Sequence, residues 1–145
     1  MKQEKILVVE DNFINAICAI TGLSEYKNID DVLTTGNYGL TMENLDEYKP
    51  TAALVDLNFP GYSGKELPGQ AIGKELKKRG IPYLYVTGVS EEYGHDHTNI
   101  VAIEVKCDKC EGLETLLQFD KVEKDPEIWQ AAYDKLNELY GESVE

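Results

Sequence analysis

Residues 52–64 read AALVDLNFPGYSG, in which four apolar residues lead into Asp56 and the chain then breaks at Pro60 and Gly61. A continuous apolar run that ends at turn formers predicts a strand buried on both faces, as in parallel sheets. Asp56 then lies at the carboxyl end of that strand, which is the edge where open α/β sheets bind ligands. Taken alone, Asp56 also has a simpler interpretation, because aspartate is common as the cap of a turn.

Short apolar runs and helical repeats alternate along the rest of the chain. Strands are predicted at 5–9, 28–33, 52–56, 83–86 and 100–105, and helices at 13–23, 40–48, 70–79 and 111–119. In the first helix, the helical spacing of Phe13, Ile17, Ile20 and Leu23 predicts the face that packs on the core. A last amphipathic helix follows Asp125 and Pro126. This alternation predicts one α/β domain with a doubly wound, five-stranded parallel sheet and an extra C-terminal helix.

Composition narrows the function classes. The chain has 145 residues, of which 42% are hydrophobic and 28% charged, as expected for a single globular domain. Its formal net charge of -13 argues against direct contact with nucleic acid, which needs a basic surface. No apolar run is long enough to span a membrane, and no signal-peptide pattern is present, so a cytoplasmic location is expected. Three cysteines do not suggest a disulfide framework.

Each of four predicted strand ends delivers a polar group. These groups are Glu10 with Asp11, then Asp56, Thr87 and Lys106. If the strands are parallel, all of them arrive at one edge of the sheet. Carboxylates that meet there repel one another unless a cation neutralises them, and oxygen ligands suit Mg²⁺. A lysine and a hydroxyl beside the cation would complete a site for a tetrahedral anion.

This ordered set of motifs resembles the receiver domain of two-component response regulators. The matching pieces are ILVVEDN at 6–12, Asp56 followed by Pro60 and Gly64, VTG at 86–88, and VK at 105–106. The resemblance covers roughly residues 4–119 and implies the flavodoxin-like strand order 2-1-3-4-5. The predicted organisation is a receiver domain at 1–124, with an amphipathic helix at 125–145 that packs on this domain or extends it.

The resemblance also implies a role for each site residue. Asp56 would be the phosphoacceptor, and it would take the phosphoryl group from a phosphohistidine on a sensor histidine kinase or phosphotransfer protein. Mg²⁺ would be held by Asp11, Asp56 and the backbone carbonyl of Asn58, with Glu10 bound directly or through water. The phosphoryl oxygens would contact Thr87 and Lys106.

In this interpretation the protein is a stand-alone response regulator in a Mg²⁺-dependent phosphorelay. It would signal through contacts with an unknown downstream protein, as a monomer or weak homodimer, without binding nucleic acid or membrane. It would not be an enzyme, beyond self-phosphorylation from small donors and self-dephosphorylation.

Two departures from the family pattern leave an alternative open. Cys107 follows Lys106 where the family usually has proline, and Ile103 stands where tyrosine or phenylalanine is common. These changes motivate a receiver-like protein-binding module that no longer signals by phosphorylation. A Mg²⁺-dependent phosphohydrolase with Asp56 as nucleophile is a weaker third hypothesis, because no second carboxylate follows two residues later as a general acid.

Two further features have competing interpretations. If the sheet has the strand order of the family, the loops that carry His95 and His97 and the Cys107–Cys110 pair are neighbours and can bind Zn²⁺. A lone pair of cysteines at this spacing is a weak signal, and histidines in polar loops are usually solvated. In the last helix, the aromatic residues either pack on the domain itself or anchor a partner protein. They are Trp129, Tyr133 and Tyr140.

Overall fold

The computed structural model describes residues 3–88, 101–105, 114–119 and 124–140. The elements are β1 (Glu4–Val9), α1 (Phe13–Leu23), β2 (Ile29–Thr35), α2 (Tyr38–Glu47), β3 (Ala52–Val55), α3 (Pro68–Arg79), β4 (Tyr83–Gly88), β5 (Val101–Val105), β6 (Glu114–Phe119) and α4 (Pro126–Tyr140). The strands in these ranges form one sheet with the order β2-β1-β3-β4-β5-β6. No helix in them is long and apolar enough to cross a membrane.

The first four strands form the parallel core that the sequence predicts. Strand β1 pairs in parallel with β2 and β3, and β3 pairs in parallel with β4, which confirms the order 2-1-3-4. All four residues of β3 are buried, as the apolar run before Asp56 predicted. This arrangement puts the carboxyl ends of β1, β3 and β4 at one edge of the sheet.

The fifth strand runs in the opposite direction to the one predicted. Strand β5 pairs antiparallel with β4, with Gly88 opposite Val101 and Tyr85 opposite Glu104. A parallel neighbour would require a crossover, usually a helix that packs on the sheet. The sequence at 89–100, VSEEYGHDHTNI, has few apolar residues with which such a helix could pack. The prediction of five parallel strands in the order 2-1-3-4-5 is therefore wrong at its last member.

The segment predicted as a helix at 111–119 contains a strand. Strand β6 pairs antiparallel with β5, with Leu117 opposite Ile103. A helix of nine residues is marginal by itself, so tertiary pairing decides the conformation of so short a segment. Pairing with β6 also satisfies the backbone groups at the free edge of β5, which would otherwise be exposed. Because β6 reverses direction again, it runs parallel to β4 and leads the chain back to the edge that holds Asp56.

Helices cover both faces of the sheet and create two apolar clusters. The first cluster lies between the sheet and helices α1 and α4 and includes Ile6 and Val8 of β1. The second lies between the sheet and helices α2 and α3 and includes Leu7 and Val9. This alternation along β1 is the period-two pattern of a strand that is buried on both faces. It makes the fold doubly wound, as predicted.

Helix α1 packs only the last residue of its predicted apolar face, Leu23, on the core. Phe13 is 75% exposed, and Ile17 and Ile20 are also exposed. The buried residues of the helix are Ala19, Gly22 and Leu23. The small residues face inward because α4 comes very close: a Cβ added at Gly22 would lie 2.6 Å from the carbonyl oxygen of Pro126. Helical periodicity identified the helix, but packing against α4 selected its buried side.

Helix α3 begins directly beneath the end of β3. It starts at Pro68, two residues earlier than predicted, because proline is tolerated in the first turn of a helix. A Cβ on Gly69 would lie 2.2 Å from the carbonyl oxygen of Asp56, so glycine allows this close approach. The helix ends at Gly80 in the left-handed conformation, with φ of 74°. The first turn of α3 thus packs directly against the backbone of Asp56.

Candidate functional site

Glu10 and Asp56 follow the carboxyl ends of two neighbouring parallel strands. Val9 pairs with Val55, so the next residue of each strand enters the same corner of the sheet. The N–H of Asp56 donates to the carbonyl of Val9 at 2.9 Å. Glu10, Asp11 and Asp56 each place a carboxylate oxygen within 4.8 Å of the others. The structure therefore brings together the acidic residues that the sequence analysis singled out.

Lys124, which the sequence analysis did not identify, contacts two of these carboxylates. Its Nζ lies 2.6 Å from Oε1 of Glu10 and 3.3 Å from Oδ2 of Asp56. Lys124 and Glu10 are each 4% exposed, so salt screens this ion pair much less than it screens pairs on the surface. The site thus combines three carboxylates with a buried ammonium group.

The position of Lys124 follows from the direction of the last strand. Strand β6 runs toward the edge of the sheet that holds Asp56, and Lys124 lies between β6 and α4. Lys124 precedes Asp125 and Pro126, so it occupies a strand-to-helix corner like that of Glu10 before α1. A lysine two residues before a predicted helix start is the sequence signal by which this residue could have been found.

Backbone N–H groups fix the two buried carboxylates. Oδ1 of Asp56 accepts from the N–H of Leu57 at 2.7 Å. Oε2 of Glu10 accepts from the N–H of Asn12 at 3.1 Å, and Asn12 caps α1 by accepting from the N–H of Asn15. Each carboxylate therefore uses one oxygen for the backbone and presents the other to Lys124. This division leaves little rotational freedom to either side chain.

Burial raises the pKa of the Glu10 carboxyl above its ordinary value of 4.5, and the negative charge of Asp56 acts in the same direction. The ammonium of Lys124 and the hydrogen bond from Asn12 oppose this rise. Burial and the charge of Asp56 thus favour the protonated form of Glu10, or the binding of a second cation beside its carboxylate.

The other predicted site residues fall into two groups. Thr87 is part of β4 near its carboxyl end, at the same edge as Asp56, and Asn58 is exposed two residues after Asp56. Lys106 and the zinc candidates lie outside the described residues; the zinc candidates are His95, His97, Cys107 and Cys110. The predicted place of Lys106 at the site requires β5 to be parallel to β4. The carboxyl end of β5 instead lies beside the amino end of β4, at the opposite edge.

The acidic group fits a hard divalent cation by its chemistry. Its donors are all carboxylate oxygens, and Asp11 is exposed, which leaves room for the waters that Mg²⁺ retains. Among the described residues, the pocket has three carboxylates and one ammonium, so they carry an excess of negative charge. Glu10, Asp11 and Asp56 would hold the ion, although Lys124 already contacts two of them.

Comparisons with known proteins find relatives by structure alone. No model of a protein family matches the sequence. No curated protein matches it either.

Several solved structures share the fold. The response regulator RcsB of Salmonella typhimurium superposes with a TM-score of 0.55 at 16% identity, over 61% of this chain and 44% of that one. The response regulator domain of Thermotoga maritima CheB gives a TM-score of 0.51 at 21% identity, over 63% of this chain and 65% of that one. The Mn²⁺-bound response regulator Rcp1 gives a TM-score of 0.50 at 25% identity, over 63% and 70%.

The protein has the fold of a response regulator receiver domain. The matched part of this chain spans less than half the length of the RcsB structure. Its parallel core with strand order 2-1-3-4 and its acidic corner agree with the family resemblance seen in the sequence. The antiparallel β5 and the lysine at 124 are departures from what that resemblance implied.

Proposed function

We propose that this receiver is phosphorylated on Asp56 in a Mg²⁺-dependent phosphorelay and signals through protein–protein contacts. The observation that carries the proposal is the contact of Asp56 with an ammonium group inside an acidic pocket: Oδ2 lies 3.3 Å from Nζ of Lys124. Phosphoryl transfer depends mainly on positioning and charge neutralisation. A rigid strand end supplies the first of these requirements, and Lys124 supplies part of the second.

The transfer step is a displacement at phosphorus. An oxygen of Asp56 forms the new O–P bond while the bond from phosphorus to the imidazole nitrogen of a phosphohistidine breaks, and the imidazole leaves with the electron pair. Lys124 takes the role that the sequence analysis gave to Lys106, and its ammonium pairs with a phosphoryl oxygen. Thr87, at the end of the adjacent strand, donates its hydroxyl to another. Water later hydrolyses the acyl phosphate, so the protein acts as a phosphoacceptor rather than as an enzyme on other substrates.

The proposed metal is Mg²⁺, held by Glu10, Asp11, Asp56 and the backbone carbonyl of Asn58. When bound, such an ion neutralises the charge that builds up on the phosphoryl oxygens. The oxygen-only donor set supports this assignment. The Mn²⁺-bound form of Rcp1 supports it too, since a protein of similar fold carries a divalent cation.

The proposed phosphodonor is a histidine kinase or phosphotransfer protein that approaches over helix α1. Phe13 and Ile14, which start the helix two residues after Asp11, are exposed, and so are Ile17 and Ile20. Helix α1 contains no charged residue, although the chain has a net charge of -13. An uncharged apolar face beside the acceptor suits a protein donor better than a small anionic one.

A second candidate function is a binding module that does not accept phosphate. It is favoured by the tight pairing of Lys124 with Glu10, at 2.6 Å, because this contact already satisfies part of the charge that a cation would neutralise. In this case Mg²⁺ and small phosphodonors would leave the protein unchanged, and its surface alone would carry the function.

Acetyl phosphate and beryllofluoride, each with Mg²⁺, separate the two functions. We expect the wild-type protein to gain one phosphoryl group from acetyl phosphate by intact-mass spectrometry, and to bind beryllofluoride as a mimic of that group. Asp56→Asn should do neither. Lys124→Met should lose most of the modification, whereas Lys106→Met should retain it. An unmodified wild-type protein that remains folded would refute phosphorylation and leave the binding module. Loss in Lys106→Met with retention in Lys124→Met would reverse the assignment of the lysine.

A further inference from the structure

Lys124 is held by its backbone as well as by its ammonium group. Its N–H donates to Oδ1 of Asn15 on α1 at 3.1 Å. Its carbonyl accepts from the indole Nε1–H of Trp129 on α4 at 3.0 Å. Trp129 is fully buried, and Nζ of Lys124 lies 5.7 Å from the centroid of its ring. Two helices thus anchor the peptide from which the site lysine extends.

We propose that Trp129 is a positioning residue that sets the ammonium of Lys124 against Glu10 and Asp56, and so connects the pocket to helix α4. The lysine side chain is flexible, and ordering it costs rotamer entropy. Fixing the peptide of residue 124 reduces the number of arrangements that the ammonium can reach. The positioning itself stands on this geometry, while its importance for signalling rests on the proposed phosphorylation.

The indole is suited to this task in a way that a purely apolar ring is not. A buried indole N–H needs an acceptor, and the carbonyl of Lys124 provides one. Trp129 also belongs to the apolar cluster between the sheet, α1 and α4. The hydrogen bond therefore joins the charged pocket to a packed interior, and not to a surface loop.

The connection runs in both directions. A cation that displaces the ammonium from Glu10, or a phosphoryl group that attracts it, would pull on the peptide of Lys124 and on its bonds to Asn15 and Trp129. Helix α4 meets α1 where Gly22 contacts Pro126, so the two helices that hold Lys124 also touch each other. Movement of Lys124 in the pocket is thus transmitted to the packed helices α1 and α4.

The test uses ¹⁵N-lysine-labelled full-length protein. An ammonium held in a buried ion pair exchanges slowly with water and gives a distinct side-chain NMR signal, which we expect in the wild type and which Lys124→Met should remove. Trp129→Phe keeps a buried ring but removes the donor to the Lys124 carbonyl. We expect this variant to lose the protected signal or shift it toward those of exposed lysines. An unchanged signal in folded Trp129→Phe would overturn the proposal.

Tyr133→Phe is the matched control. Tyr133 is buried on the same helix, and its hydroxyl accepts a hydrogen bond from Asn28, away from Lys124. This variant should keep the protected signal, and loss of the signal in both variants would show a general loosening of α4, which also overturns the proposal. Urea denaturation establishes that each variant is folded.

Experiments can refute the proposed phosphorylation without refuting the positioning of Lys124 by Trp129. If beryllofluoride and acetyl phosphate leave the wild type unmodified while Trp129→Phe still loses the ammonium signal, phosphorylation is refuted and the positioning stands. If phosphorylation of Asp56 and positioning by Trp129 both hold, Trp129→Phe should be phosphorylated up to about tenfold more slowly. This is the effect of losing one neutral hydrogen bond.

The chain has one tryptophan, so its fluorescence should also report Mg²⁺ binding in the wild type and lose that response in Lys124→Met.

Discussion

A buried ammonium that contacts two carboxylates stabilises a protein only while each buried charge keeps a partner of opposite sign. In Lys124→Met, Glu10 and Asp56 would face each other without the cation that now lies 2.6 Å and 3.3 Å from them. Breaking a buried pair in this way typically costs about 3–5 kcal/mol. We expect a loss of this size in the free energy of unfolding, measured by urea denaturation at neutral pH, with partial recovery when Mg²⁺ is added.

Lys74→Met provides the control for this loss. Lys74 pairs with Glu66 at 3.1 Å, but its side chain is 69% exposed. Surface pairs of this kind contribute at most about 1 kcal/mol. Equal losses in the two variants would mean that the buried ion pair does not form in solution.

Glu10 should make stability depend on pH in an unusual direction. Because burial raises the pKa of this carboxyl above 4.5, the folded state holds the proton more tightly than the unfolded state does. The contribution of Glu10 is therefore most favourable at acidic pH and is lost as the pH rises through the raised value. Glu10→Gln lacks this titration, so its free energy of unfolding should increase relative to wild type as the pH rises above 4.5.

Glu66→Gln should show the opposite sign. A hydrogen bond from its own backbone N–H and another from Lys74 hold the pKa of the partly buried Glu66 below 4.5. The wild type therefore gains stability relative to this variant as the pH rises. Denaturation curves at a series of pH values for the three proteins give both slopes. A Glu10→Gln slope that matches the Glu66→Gln slope would contradict a raised pKa for Glu10.

At the scale of elements, helix α1 offers a direct comparison between its two faces. Phe13 is 75% exposed, whereas Leu23 is fully buried against the sheet and α4. We expect Phe13→Ala to change the free energy of unfolding by less than about 0.5 kcal/mol, and Leu23→Ala to cost about 2–5 kcal/mol. Thermal or urea denaturation measures both. Similar losses in the two variants would mean that Phe13 is buried in solution.

The same helix shows where prediction from sequence works and where it stops. The repeat of Phe13, Ile17 and Ile20 correctly predicted a helix, because an apolar period of 3.6 residues is a local property. Of the predicted face only Leu23 is buried, because the small residues Ala19 and Gly22 face α4, which is more than 100 residues away in sequence. Close packing between distant helices leaves no local pattern beyond small residues.

Strand direction is the other point that local pattern does not determine. The sequence predicted β1 and β3, with Glu10, Asp11 and Asp56 at their ends, because apolar runs that stop at carboxylates are local signals. The sequence pattern of an apolar strand is the same whether it pairs in parallel or antiparallel, so β5 was assigned the wrong direction. That single reversal explains why Lys106 was chosen and Lys124 was missed.

At the scale of the whole molecule, helix α4 is part of the core on one face of the sheet. Its buried residues are Ile128, Trp129, Ala132, Tyr133 and Leu136. Deleting buried side chains of this kind costs about 2–5 kcal/mol each, whereas a domain is stable by about 5–15 kcal/mol in total. A chain that ends at Lys124 would lose all five side chains together with the indole that holds the Lys124 carbonyl.

We therefore expect the fragment 1–124 to lack a cooperative thermal transition by circular dichroism, and the fragment 1–140 to keep one. The second fragment is the control, since it retains α4 in full. A folded, monomeric fragment 1–124 would mean that α4 is an appendage and that Lys124 is held without Trp129. Because the same helix closes the core and anchors the site lysine, loss of α4 should abolish folding and any phosphorylation of Asp56 together.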